Sequence, residues 1–316
     1  MSSVRIEQIC VVGTGYMGSQ IALQAAFNGF DTWVVGRWSS SLERSLTQIH
    51  ATLHDMQKSN EASDELINAT ISRLHLTLRP SEGLEAADLC IEAVPETVEM
   101  KREIFRQMDE YCPKHAILAT SSATIRVVEF EKVLERSDRV LNMLFYPPIW
   151  RRPLVELMRG ARTSDETVGK VSDFARRAGL NPLTVLKESK DFAFGAVWRA
   201  IRHESLRVVD RGICTMEDID RAWMVVTGMK IGPFGIMDET GLDVVREVEI
   251  MYYVASKDPR DAPPKLLLDR IEIGSLGVKS GKGFYTYPNP AFRERYWVKG
   301  SVPSEPVLPG PRVGQA

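Results

Sequence analysis

The spacing of apolar residues changes period twice within the first 36 residues. "ICVV" at 9–12 is continuous and apolar, which predicts a buried strand over residues 4–12. Ile21, Ala22, Ala25 and Ala26 then recur at helical spacing, and "DTWVVG" reads as a second strand. Residues 41–78 read as two amphipathic helices with polar turns around Ser59–Ser63. "ADLCIEAVPE", "AILATSSAT", "RVLNMLFY" and "NPLTVLKES" read as further strands, with helices between them at "ETVEMKREIFRQMDEYC" and "TVGKVSDFARRAGL". Strands alternating with helices predict a parallel sheet covered on both faces. From about Lys190 the strand signal stops and helical patterns follow one another. Thr215 with Asp218 reads as a helix N-cap.

The predicted organisation is an α/β domain over 1–187 with a helical hairpin near 41–78. A mainly α-helical domain over 188–287 follows, joined by a linker holding Lys190 and Asp191. A proline-rich tail over 288–316 has no apolar periodicity and is expected to be extended.

Composition narrows the function classes. The chain has 316 residues, 44% of them hydrophobic, enough for two domain cores. A net charge of −2 gives no reason to expect nucleic acid or an anionic membrane as partner. No long apolar run predicts a membrane span, and the opening "MSSVRIEQICVV" enters a strand at once, so a cytoplasmic location is the expectation. Cys10, Cys90, Cys112 and Cys214 form no CxxC pair and have no histidine cluster beside them. They read as buried reduced thiols, with no metal site expected.

Gly13-Thr14-Gly15-Tyr16-Met17-Gly18 lies between the first strand and the first helix. A GxGxxG in that context is a dinucleotide loop. Its glycines allow the tight turn, the approach of a pyrophosphate, and close helix–strand packing, while the helix N-terminus supplies amide donors. The fold class is therefore a Rossmann-type doubly wound sheet with a second, helical domain. The second strand usually ends in an Asp or Glu that binds the ribose 2′-hydroxyl of NAD. Here Gly36 stands there, followed by Arg37, Trp38, Ser39 and Ser40. An arginine fork attracts a 2′-phosphate, so the pattern favours NADP(H), with NAD(H) as the alternative.

The chain resembles the 3-hydroxyacyl-CoA dehydrogenase superfamily over about residues 5–287. The matching segments are "VVGTGYMGSQIA", "LCIEAVPETVEMKREIF", "RPLVELMRG", "TMEDIDRA", "IGPFGIMDETGLD" and "GVKSGKGFYTY". "RPLVEL" is more similar to the carnitine dehydrogenase, gulonate dehydrogenase and lambda-crystallin branch. The resemblance implies cofactor contacts from Glu96, Lys101 and Lys279, and a homodimer formed through the helical domain. It also implies a proton-transfer histidine, and there the sequence departs from the pattern. The histidine position is Leu144. The family's substrate-side Ser and Asn positions are Ala123, Pro147 and Gly195. Only Glu156, in the place of the residue that orients the histidine, matches.

Leucine cannot take a hydroxyl proton. Ordinary hydroxyacyl-CoA oxidation is therefore not expected. The sequence reading is an NAD(P)H-dependent reductase with a rebuilt site, acting on an imine or iminium, a ketone, or an activated C=C bond. Its alternatives are a cofactor-binding homologue without chemistry and a structural, crystallin-like protein. Tyr146, on the same strand face as Leu144, is the candidate proton donor, with Glu156 beside it. Trp150 and Trp198 are candidate pocket walls with Ala123, Leu144 and Gly195. Arg151, Arg152, Arg199 and Arg202 are candidate anchors for an anionic substrate. His203 reads as structural.

Overall fold

The structure, a computed structural model, describes residues 5–131, 134–189, 192–294 and 296–299. Lys190 and Asp191 of the expected linker, and residues 300–316 of the tail, lie outside the described residues. Contacts divide the chain into two compact units, the first ending at Gly195 and the second starting at Ala196.

The first unit carries strands β1 (Gln8–Val12), β2 (Asp31–Val35), β3 (Leu74–Thr77), β4 (Leu89–Glu92), β5 (Ile117–Thr120), β6 (Val140–Phe145), β7 (Leu154–Arg159) and β8 (Asn181–Val185). Its helices are α1 (Tyr16–Phe27), α2 (Ser39–Lys58), α3 (Asp64–Ser72), α4 (Pro80–Leu84), α5 (Val98–Tyr111) and α6 (Asp165–Arg177). They form one eight-stranded sheet in the order β3-β2-β1-β4-β5-β6-β7-β8. The chain runs outward from β1 through β2 to β3, then restarts at β4 on the other side of β1. That reversal is the switch point at which doubly wound sheets bind ligands.

Alternation along β1 decides what covers each face. Ile9 and Val11 join a core with Ile21, Ala22, Ala25 and Phe174 of α1 and α6. Cys10 and Val12 join the opposite core with Phe105 and Met108 of α5. A strand buried on both faces reads as a continuous apolar run, which is why "ICVV" shows no alternation. Cys10, Cys90 and Cys112 are buried and Cys214 is half-buried, all as free thiols.

Two expectations need correction. Leu74–Thr77, read as the end of a helical hairpin, is the edge strand β3, paired parallel to β2. Arg73 ends α3, and "LHLT" alternates at strand period. The sheet is also not wholly parallel, because β7 runs antiparallel to β6. The intervening residues 146–153 are too few for the crossover a parallel pair requires.

Helix α7 (Ala193–Asp210) begins in the first unit and continues into the second. The second unit adds α8 (Met216–Thr227), α9 (Pro233–Thr240), α10 (Leu242–Ser256) and α11 (Lys265–Glu272). Thr215 caps α8, accepting the Asp218 amide. The tail is partly packed, against expectation. Phe292 is buried and stands edge-on to Tyr285, 5.0 Å between ring centroids.

Two buried carboxylates tie this unit together. Asp220 accepts the Phe234 and Gly235 amides and the Tyr285 hydroxyl, at 2.8, 3.0 and 2.9 Å. Asp238 accepts the Phe284 and Tyr285 amides, both at 2.8 Å. Burial pushes the Asp220 carboxyl up to about 6, against the pull of its three donors. The folded chain therefore holds this proton more tightly than the unfolded chain, whose value is the ordinary 3.8. Stability from this group is present below about pH 4 and is lost as pH rises to about 6, by roughly 3 kcal/mol at most. Urea titrations of wild type and Asp220→Asn from pH 4 to 7 should show that fall in the wild type minus variant difference. A pH-independent difference would contradict it.

Candidate active site

The carboxyl ends of β1, β4, β5 and β6 converge on the switch point. Gly13 has φ +128°, and a Cβ there would lie 2.5 Å from the Ala93 carbonyl oxygen. A Cβ on Gly18 would lie 2.1 Å from the Gly13 carbonyl oxygen. Only glycine fits either position. Around Gly15 the space is open, and a Cβ there would meet nothing within 4 Å. Gly15 precedes α1, whose N-terminus has no side-chain cap and no acid in its first turn. A glycine-lined opening at uncapped amide donors fits a pyrophosphate. Tyr16 is exposed, while Met17 packs against the core.

At the end of β2, Gly36 is buried and Arg37, Trp38, Ser39 and Ser40 are exposed. The Arg37 guanidinium lies over the Trp38 ring, 5.0 Å from its centroid. Ser39 and Ser40 open α2.

Beyond β4, Glu96 accepts the Ser122 hydroxyl and the Ala123 amide, each at 2.8 Å. Burial acts to raise its carboxyl. The Lys101 ammonium and the Ser122 hydroxyl outweigh that and hold it below the usual carboxylate range. Lys101 itself is 1% exposed and lies beneath this surface. Its ammonium sits 2.7 Å from Glu92 and 3.1 Å from Glu96. It is buried beneath Glu96 and bridges it to Glu92. Glu92, which Thr120 and the Val94 amide also bond, was the signal missed. A charged residue ending an apolar strand calls for a buried partner.

Leu144 pairs across the strands with Glu156 in the β6–β7 register. It packs against a small cluster of Met158, Val185 and Phe192. Glu156 is fully buried. It accepts the Tyr146 hydroxyl, the Ala193 amide at 2.6 Å and the Phe194 amide at 3.1 Å. The first turn of α7 thus points its amides at this carboxylate, a favourable place for negative charge. Among the described residues, no Lys, Arg or His forms an ion pair with it. Tyr146 stands edge-on to Phe194, 5.4 Å between centroids. A Cβ on Gly195 would lie 3.8 Å from the Tyr146 hydroxyl. Glu156 is thus shielded from solvent and bonded to Tyr146 and to the start of α7. Phe194 was not legible beforehand, since its role depends on where α7 starts.

Other candidates are placed elsewhere. Trp150 is half-buried and packs against Leu23, Ile49 and Leu53 of α1 and α2, with Arg151 stacked on it at 4.3 Å. Arg152 bonds the Pro147 carbonyl at 3.1 Å. In the second unit, Arg199 bonds Asp261 at 2.8 Å and lies over the Tyr252 ring. Arg202 and His203 bond the buried Glu249 at 2.6 and 2.7 Å. Arg199 and Arg202 are thus already neutralised, which removes them as anchors for an anionic substrate. Trp198 is half-buried in this unit. Lys279 pairs there with Asp243 at 2.6 Å. Among the described residues, no cluster of His, Cys, Asp or Glu could hold a metal, and no helix is long and apolar enough to cross a membrane.

Two family matches account for nearly all of this. The 3-hydroxyacyl-CoA dehydrogenase NAD-binding domain matches residues 8–189, and the C-terminal domain of the same enzymes matches 192–287. The chain belongs to the 3-hydroxyacyl-CoA dehydrogenase family. A probable 3-hydroxybutyryl-CoA dehydrogenase of Bacillus subtilis is 32% identical over 285 residues, covering 90% of this chain and 98% of that one. Among solved structures, M. tuberculosis FadB2 is similar with a TM-score of 0.82 and 29% identity, covering 90% of this chain and all of that one. A diketoreductase described as acting on dicarbonyl compounds gives a TM-score of 0.81 at 28% identity, with the same coverage. Membership makes the chain a pyridine-nucleotide oxidoreductase.

Proposed function

We propose that this family member is an NAD(P)H-dependent reductase of a small electrophile that is not a CoA thioester. Leu144 stands in place of the family histidine, and the phenol of Tyr146 handles the proton. One observation carries the reading: the Tyr146 hydroxyl donates to a fully buried Glu156 that also takes the first amides of α7. The carboxylate holds the phenol, and the half-buried phenol is the group this reading sets against the substrate. The dinucleotide, when bound, supplies the hydride. The chain's own residues orient the acceptor against Leu144, Phe194 and Gly195, and limit water there.

Negative charge at Glu156 favours an acceptor that is cationic, so an imine or iminium ranks ahead of a ketone or activated alkene. A preformed iminium needs hydride and no proton. A neutral imine or ketone also needs a proton, which the Tyr146 hydroxyl supplies by turning its single hydrogen from Glu156 to the acceptor, and solvent then reprotonates the phenol oxygen. Cyclic imines, keto acids with amines, dicarbonyl compounds and activated alkenes form the test panel, read by NADPH consumption. Turnover of any class supports the reductase. Tight cofactor binding with no turnover on all of them supports the non-catalytic homologue instead.

The cofactor reading is NADP(H), supported by the exposed Arg37–Trp38 stack and the lack of any acid at Gly36. Fluorescence titration should give tighter binding of NADPH than NADH. Arg37→Ala should weaken NADPH by about 1–3 kcal/mol, the range for a charge-assisted hydrogen bond, and leave NADH little changed. Equal wild-type affinities would refute the preference.

A further inference from the structure

Gly36 does more than lack a carboxylate. Its amide donates to the Thr77 carbonyl at 3.0 Å, which fixes the backbone at the end of β2. A Cβ built on it would lie 2.7 Å from Leu42 Cδ2, 2.8 Å from Leu42 Cγ and 3.0 Å from Thr14 Cγ2. A methyl end can swing away, but Cγ cannot move unless the whole isobutyl group turns. Leu42 belongs to the first turns of α2 and packs against the core on the α1 face of the sheet. Any side chain at residue 36 must therefore displace a core contact.

We propose that Leu42 is a specificity-determining residue for the cofactor. It fills the space that the methylene of a ribose-binding Asp or Glu occupies in NAD sites. It thereby commits the rim to Arg37 and Trp38, whose exposed cationic face takes a 2′-phosphate. This inference rests on the NADP(H) reading above, but its steric half is separable from it.

The test compares wild type, Gly36→Asp, Leu42→Ala and the double variant, titrated with NADH and NADPH. Gly36→Asp alone should weaken NADPH at least tenfold and improve NADH by less than threefold, because the new carboxylate cannot seat. The double variant should bind NADH at least tenfold more tightly than wild type. If Gly36→Asp alone gains as much NADH affinity as the double variant, or the double variant gains none, Leu42 is not the barrier. A charge-free cycle covers the case in which the aspartate misfolds. Gly36→Ala should lower the melting temperature by about 3 °C or more in the wild-type background, the scale of overpacking, and by much less in Leu42→Ala. Equal drops in both backgrounds would overturn the steric argument. Wild-type preference for NADH would instead refute the NADP(H) reading while leaving that melting cycle intact.

Discussion

Tyr146→Phe lowers kcat roughly 10- to 1,000-fold on a neutral imine or ketone, bracketing the lower range of general-acid contributions, and leaves cofactor affinity unchanged. The phenol is removed from a place where the described geometry offers no substitute. Glu156 is fully buried, Leu144 has no proton, and a Cβ at Gly195 meets only the phenol oxygen. The dinucleotide loop lies between β1 and α1, whereas Tyr146 bonds Glu156 of β7 and stands against Phe194 of α7. The size of the loss should depend on the substrate. A permanently cationic N-alkyl iminium requires no proton, so its kcat should fall much less than that of a neutral imine under the same conditions. Steady-state kinetics on both substrate types, with NADPH titrated separately, is the measurement. Unchanged turnover of the neutral substrate would leave the enzyme without Tyr146 as its donor. Equal losses on both types would assign Tyr146 to substrate positioning alone.

What the sequence carried is mostly local. The glycine loop, the apolar strands and the Thr215 cap depend on residues within a few positions of one another, and they appear where the pattern put them. The antiparallel β7 was missed because a strand's direction is set by the length of its connection, which apolar runs do not encode. The arginines were misread because Glu249, the partner of Arg199 and Arg202, lies nearly fifty positions away, on α10. The packing of Trp150 on the α1–α2 cluster was not legible for a related reason, since those helices lie far earlier in the chain. Tyr146 was legible by strand alternation with Leu144. Its bond to Glu156 was not, because that carboxylate is also shared with the start of α7, whose position no pattern announces.

Placing a histidine at residue 144 gives the other large effect, and it should take two substitutions. Wild type should oxidise 3-hydroxybutyryl-CoA poorly, since Tyr146, the proposed proton donor, still carries its hydrogen and gives it to Glu156, and a protonated phenol is a weak base. Leu144→His alone places an imidazole directly across from Glu156, by the β6–β7 register. The carboxylate is already engaged, however. One oxygen takes the Tyr146 hydroxyl and the other the Ala193 amide. An imidazole that cannot win the Tyr146 bond lacks the partner that fixes its tautomer and orientation. The single variant should therefore gain less than about tenfold over background. Leu144→His with Tyr146→Phe frees the oxygen and keeps the aromatic packing against Phe194. An oriented general base contributes about 10²–10⁴-fold, so the double variant should exceed the single one by roughly a hundredfold. The assay is cofactor reduction with 3-hydroxybutyryl-CoA across pH 6–9, where only the double variant should show a rise through the histidine range. Full activity in Leu144→His alone would mean that Tyr146 does not hold Glu156 against an incoming base. No gain in either variant would place the block at Ala123, Pro147 or Gly195, the positions that the proposed reading matches to the family's substrate-side Ser and Asn.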